Sequence, residues 1–152
     1  MDAQLPSSAE TATAEAADSG PRSTGARSKV LLIVEPDYML RRTVALTARS
    51  LDLGEINETS TYEDAQAILS HRHIDGLLLA LGDGEQGFAL LERIRGGAMK
   101  CAADLPVAVV AHGLDLARAT RLRDLGVVYI AVRPAKARAL LEAMSAIARP
   151  RA

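Results

Sequence analysis

Five short runs of aliphatic residues, each followed by a stretch of helical periodicity, restrict this chain to very few architectures. The first is Val30-Leu31-Leu32-Ile33-Val34, with no polar residue inside it. Such a run reads as a strand buried on both faces of a parallel sheet. From Asp37 to Leu51 the period turns helical, with Leu40, Val44, Ala48 and Leu51 on one stripe and Gly54 as the expected stop. The alternation then repeats. A brief strand surrounds Ile56, and a helix from Thr61, which with Asp64 resembles a capping pair, buries Ala65, Ile68 and Leu69. Gly76 to Leu81 is the third strand, followed by a helix marked by Phe88, Leu91 and Ile94 and closed by Gly96-Gly97. Leu105 to Val110 is the fourth strand, entered through Pro106. Leu114, Ala117, Leu122 and Leu125 mark a helix stopped by Gly126. Val127 to Val132 is the fifth strand, and Leu140, Leu141, Met144 and Ile147 line the last helix.

Strict alternation with short connections implies an α/β domain: a doubly wound, five-stranded parallel sheet with right-handed crossovers. Residues 29–148 carry it. Residues 1–28 hold almost nothing to bury and read as a disordered N-terminal tail, with 149–152 as a short C-terminal tail. Aromatic residues make up 3% of the chain, with no Trp, which disfavours stacking platforms for single-stranded nucleic acid. The net charge of -1 gives no global attraction to nucleic acid or an anionic membrane. Cys101, the single cysteine, excludes an internal disulfide and fits a reducing compartment. No apolar run approaches a membrane span and the N-terminus lacks signal-peptide order, so a cytoplasmic protein is expected.

In such folds, function sits beyond the carboxyl ends of the strands. The first strand ends in Glu35-Pro36-Asp37, the third in Ala80-Leu81-Gly82-Asp83, the fourth in Ala111-His112 and the fifth in Arg133-Pro134. With Met39-Leu40-Arg41-Arg42, Ile74-Asp75-Gly76-Leu77-Leu78-Leu79, Leu105-Pro106-Val107 and Gly126 in register, residues 29–148 resemble a bacterial response-regulator receiver (CheY-like) domain. The resemblance implies strand order 2-1-3-4-5.

Active members of that family hold magnesium on an acidic pair after strand one and accept a phosphoryl group on an Asp ending strand three. A hydroxyl after strand four and a Lys after strand five bind the phosphate. A carboxylate nucleophile flanked by a metal and a cation is what in-line phosphoryl transfer requires. Here the acidic pair maps to Glu35 and Pro36, the phosphoacceptor to Ala80, the hydroxyl to Ala111 and the lysine to Arg133. The resemblance therefore implies a degenerate pseudo-receiver: a stand-alone, non-enzymatic domain without cofactor, acting by protein–protein interaction in two-component signal transduction. The aromatic that reports phosphorylation in the family maps to Ile130, with Tyr129 beside it.

Asp83, three residues past Ala80, is the fallback phosphoacceptor, with Glu35 and Asp37 as weak metal candidates for Mg2+. A turn residue between two glycines is the simpler explanation. Gly82-Asp83-Gly84-Glu85-Gln86-Gly87 spells a dinucleotide fingerprint, but its two carboxylates oppose a pyrophosphate and it follows the third strand. His71 and His73 read as an exposed helix end without a carboxylate partner, and His112 as a loop residue on the functional face. From Ala111 onward, Arg118, Arg121, Arg123, Arg133, Lys136, Arg138, Arg149 and Arg151 outnumber Asp115, Asp124 and Glu142. Arg118, Arg121, Tyr129, Lys136 and Arg138 are the expected partner surface across helix four, strand five and helix five. It would receive a histidine kinase, a regulator or a second copy in a homodimer. Nucleic-acid binding through this basic half is a further alternative.

Overall fold

The computed structural model describes residues 28–149; apart from Ser28 and Arg149, the two expected tails lie outside them. Five strands alternate with five helices: β1 (Val30–Val34), α1 (Tyr38–Ser50), β2 (Glu55–Thr59), α2 (Tyr62–His71), β3 (Gly76–Leu81), α3 (Gln86–Arg95), β4 (Val107–Ala111), α4 (Leu116–Asp124), β5 (Tyr129–Val132) and α5 (Ala137–Ala148). The sheet is wholly parallel in the order β2-β1-β3-β4-β5, the 2-1-3-4-5 expected. Every residue of β3 and β4 is buried, as central strands covered on both faces should be. No helix among the described residues is long and apolar enough to cross a membrane.

The pleat divides the core in two. Leu77, Leu79 and Leu81 pack with Phe88, Leu91 and Leu122 under α2, α3 and α4. Leu31, Ile33, Leu78 and Val110 pack with Val44, Leu140 and Met144 under α1 and α5. Successive residues of one strand thus serve opposite layers. Arg95 joins the lower edge of the first layer, donating from Nε to the Leu125 carbonyl (2.6 Å) and from one terminal nitrogen to those of Ala103 (2.9 Å) and Leu105 (2.7 Å). It thereby satisfies a carbonyl that the end of α4 leaves without a helical partner.

Several expected details change. Leu51 is 58% exposed, and the buried stripe of α1 is Val44, Ala45 and Ala48. The helix ends because Leu51 caps it and Asp52 takes the left-handed conformation (φ 56°), so the chain has turned before Gly54. Gly54 serves a different need. A Cβ there would lie 2.5 Å from the Lys29 carbonyl oxygen, which accepts the Glu55 amide at the mouth of the β1–β2 pair. In α4, Ala117 is exposed and Leu122 is the buried residue; Gly126 (φ 73°) does follow the helix as its left-handed stop. The fourth strand begins at Val107 and reaches Ala111, and the fifth is shorter than expected, beginning at Tyr129.

Candidate functional site

At the carboxyl edge of the sheet, the ends of β1 and β3 with the residues after them, the passage from β2 into α2, and the residues after β4 and β5 line a cleft of about 610 Å³. Glu35 forms its floor. It is 2% exposed, and both carboxylate oxygens are engaged: Oε2 accepts the Asp37 amide (2.9 Å) and Oε1 accepts from the Arg133 guanidinium. The Arg133 side chain is itself only 18% exposed, so this is a largely desolvated ion pair joining β1 to β5. The Glu35 carbonyl accepts from Arg41 (2.9 Å), and Asp37 turns its Oδ1 to the Leu40 amide (3.0 Å) as the N-cap of α1.

Next to last in the third strand, Ala80 lines the cleft with nothing larger than a methyl group. Tyr62, in the first turn of α2, reaches across this strand end. Its hydroxyl donates to the Ala80 carbonyl (2.7 Å) and accepts the Gly82 amide (3.0 Å), bridging the turn out of β3. Gly87 makes room for it: a Cβ there would stand 2.3 Å from a Leu81 methyl and 3.2 Å from the Tyr62 hydroxyl. The third glycine of the Gly82–Gly87 fingerprint is therefore a packing residue. Around Gly84 a Cβ would meet nothing, so no close approach demands a glycine there.

The residues singled out in the sequence are thus partly united. Glu35, Pro36, Asp37, Ala80, His112 and Arg133 all line the cleft. Ala111 does not, being fully buried in the layer under α2, α3 and α4. Asp83 is exposed and lies outside the lining, on a loop drawn toward α4. There Arg118 donates to the Gly82 carbonyl (3.1 Å), and Arg121 pairs with Glu85 (2.9 Å) and Glu92 (3.2 Å). Both guanidinium groups lie over the buried Phe88 ring, Arg121 at 3.9 Å and Arg118 at 5.0 Å.

The residues present fit a magnesium ion poorly. A divalent cation takes several oxygen ligands at close range. Here both oxygens of Glu35 are used, the neighbouring position is Pro36, and among the described residues no group of three metal-ligating side chains is found. Arg133 supplies the positive charge that Glu35 needs.

Away from the cleft, Tyr129 donates its hydroxyl to Glu142 (2.9 Å); this hydrogen bond, with the carboxylate charge, holds the phenol above its ordinary range. Lys136 and Arg138 are exposed at the start of α5. His73, read from sequence as lacking a carboxylate partner, lies 2.7 Å from Asp75, whose other oxygen accepts the Val30 amide (2.8 Å). That cluster secures the start of β1. Burial raises the pKa of the Cys101 thiol, so it carries little of the reactive thiolate.

Sequence reasoning missed Tyr62 and the inward turn of Arg118 and Arg121. The one available signal for Tyr62 was an aromatic in the first turn of a helix in a chain that has three tyrosines and one Phe.

No family model and no curated protein matches the chain. Solved structures do. A response regulator receiver protein from Pseudomonas putida superposes with a TM-score of 0.66 at 26% identity, over 79% of this chain and 97% of that one. An orphan response regulator of H. pylori gives 0.68 at 15% identity, over 82% and 100%. A CheY-like receiver domain protein from Methanospirillum hungatei gives 0.62 at 20% identity, over 76% and 89%. With its sheet order and its cleft at the carboxyl edge, the chain has the α/β fold of the CheY-like response-regulator receiver domain.

Proposed function

We propose that the chain is a pseudo-receiver in two-component signalling, a non-enzymatic cytoplasmic domain that acts by binding and takes no phosphoryl group. One observation carries this reading: the Glu35–Arg133 pair occupies the floor of the cleft beside Ala80. Phosphoryl transfer to a domain of this fold needs a carboxylate nucleophile and a cation free to bind the phosphoryl oxygens. Here the nucleophile position is a methyl group, and the nearest guanidinium already serves a buried carboxylate. Asp83 is separated from this machinery, so it is not chosen as acceptor.

Recognition then falls to the surface formed by α4, β5 and α5. Leu116 (83% exposed), Val128 and Val132 supply apolar contact, with Lys136 and Arg138 as exposed cations nearby. Such a surface fits an acidic-faced signalling protein or a second copy of the chain. Arg118 and Arg121, expected in the same role from sequence, are committed to the loop after β3.

Incubation of the full chain with acetyl phosphate and magnesium tests the central claim. The intact mass stays unchanged. A phosphate adduct on any acidic residue, Asp83 included, overturns it.

A further inference from the structure

The chain contains two Asp-Gly pairs, Asp75-Gly76 and Asp83-Gly84. Such a pair carries a chemistry of its own, because glycine has no Cβ to shield its amide nitrogen or to restrict its backbone. That nitrogen can attack the side-chain carboxyl carbon of the preceding aspartic acid. A C–N bond forms, the carboxyl C–OH bond breaks, and the hydroxyl leaves with the amide proton as water. Water then opens the five-membered succinimide at one of its two carbonyls. Opening at the side-chain carbonyl restores aspartate. Opening at the main-chain carbonyl leaves an isoaspartyl residue, whose backbone runs through Cβ and whose α-carboxylate is free. The water lost in closure is returned in opening, so no other reactant is needed.

The fold treats the two pairs oppositely. Asp75 has both carboxylate oxygens engaged: Oδ2 accepts the Val30 amide (2.8 Å) and Oδ1 lies 2.7 Å from His73 Nε2. Its own amide donates to the Val30 carbonyl (2.7 Å). Gly76 is buried in β3 beside Leu31, where a Cβ would stand 2.9 Å from a Leu31 methyl. Ring closure there would break these hydrogen bonds and turn the backbone inside the sheet. Asp83 and Gly84 are both exposed, and neither has a hydrogen-bond or ion-pair partner among the described residues. A Cβ on Gly84 would meet nothing within 4 Å, so the space a ring needs is open.

The residues on either side are secured. The Gly82 amide donates to the Tyr62 hydroxyl (3.0 Å), the Gly82 carbonyl accepts from Arg118 (3.1 Å), and Glu85 pairs with Arg121 (2.9 Å) where α3 begins. Asp83 and Gly84 are the unsecured link between two anchors, each joined to an arginine of α4.

We infer that Asp83-Gly84 is a site of spontaneous isoaspartate formation in the folded chain, and that the modification loosens α4. An isoaspartyl link inserts one extra backbone atom between Gly82 and Glu85. Their partners, Arg118 and Arg121, stand three residues apart on one face of a rigid helix, so both contacts cannot keep their present spacing. The chemistry at Asp83 is independent of whether any phosphoryl group is taken up. Isomerisation leaves the mass unchanged and its succinimide is one water lighter, whereas a phosphate adduct is heavier.

Ageing the full chain in warm neutral buffer, without a phosphoryl donor, tests the inference. Peptides are mapped by mass spectrometry with electron-transfer fragmentation, which distinguishes isoaspartyl from aspartyl links. The Asp83-Gly84 peptide splits with time into two species of equal mass, while the Asp75-Gly76 peptide stays aspartyl. In urea, where the fold no longer protects it, Asp75-Gly76 isomerises as well. Gly84→Ala, whose added methyl meets no neighbour, slows the reaction at Asp83 at least several-fold. Amide hydrogen exchange along α4 quickens in the aged chain relative to the fresh one, and that of β3 does not. An Asp83 that stays aspartyl while the urea-unfolded chain isomerises, equal rates at both pairs in the folded chain, an undiminished rate in Gly84→Ala, or unaltered exchange in α4 overturns the inference. A phosphate adduct after acetyl phosphate treatment overturns the proposed function and leaves this chemistry standing.

Discussion

Removing the Arg133 guanidinium would leave the Glu35 carboxylate buried with the Asp37 amide as its one remaining partner. A buried charge that loses its counter-ion typically costs 3–5 kcal/mol. Arg133→Ala should fall near the low end, about 3 kcal/mol, because the arginine retains some contact with solvent. Replacing both partners by apolar residues of similar volume removes the stranded charge, so Glu35→Leu with Arg133→Met should stay within about 1 kcal/mol of the parent. Urea unfolding reads both: the midpoint falls for the single variant and scarcely moves for the double, with the slope unchanged. A single variant as stable as the parent would mean that Glu35 is neutral or solvated in the folded chain. The same pair shows how far one residue could be read from sequence. That Arg133 keeps positive charge was visible at once. That the charge is spent on Glu35 was not, because the two lie ninety-eight residues apart and only the assembled sheet brings the residues after β1 and β5 together.

The helix α4 is attached to its neighbour more by its arginines than by its core, since Leu122 is its one fully buried side chain. Arg121 reaches Glu85 and Glu92, Arg118 reaches Gly82, and both cover Phe88. Exposed ion pairs contribute about 0–1 kcal/mol each, and an exposed cation–π contact about 0.5–1 kcal/mol. The double variant Arg118→Ala with Arg121→Ala should therefore lower the urea midpoint without unfolding the chain, since each lost contact is individually weak. Its local effect should be larger: amide hydrogen exchange quickens across Gly82 to Glu85 and along α4, while amides of β3 and β4 keep their protection. Unaltered exchange in the loop would show that Tyr62 alone holds it. Elements were legible where the signal is local. An unbroken aliphatic run such as Val30–Val34 has few alternatives, and Thr61 with Asp64 does open α2, where Thr61 accepts the Asp64 amide (3.1 Å). Helix ends were less legible. Asp52 rather than Gly54 takes the left-handed position after α1, a choice open to a short polar side chain and invisible to a rule that looks for glycine. Of the attachment of α4, Leu122 was legible but its arginine contacts were not, because a guanidinium thirty-six residues from its partner leaves no pattern in the sequence.

Across the whole molecule, the cleft is assembled from strand ends that the doubly wound topology gathers from distant parts of the chain: Glu35 after β1, Ala80 in β3, His112 after β4 and Arg133 after β5. A single residue changed in a site built this way meets the others still arranged for something else. Ala80→Asp alone would place a second carboxylate near Glu35 and Arg133, where the guanidinium can serve both; nothing in that arrangement asks for a metal. Adding Pro36→Asp and Arg133→Lys changes the balance. Three carboxylates then share one compact ammonium, which cannot bridge them in the planar, two-pronged manner of arginine. The folded triple variant should be less stable without a divalent cation and should recover stability when one binds, since a ligand that binds only the folded state adds RT ln(1 + [L]/Kd). Magnesium is thus expected to raise the Tm of the triple variant in a saturable way and to leave the parent and Ala80→Asp unchanged. Thermal unfolding followed by circular dichroism at matched ionic strength measures this, with calcium and sodium as controls for size and screening. A magnesium response in Ala80→Asp equal to that of the triple variant would mean that Arg133 yields its place easily. In that event one substitution, not a coordinated set, separates this cleft from a working metal site.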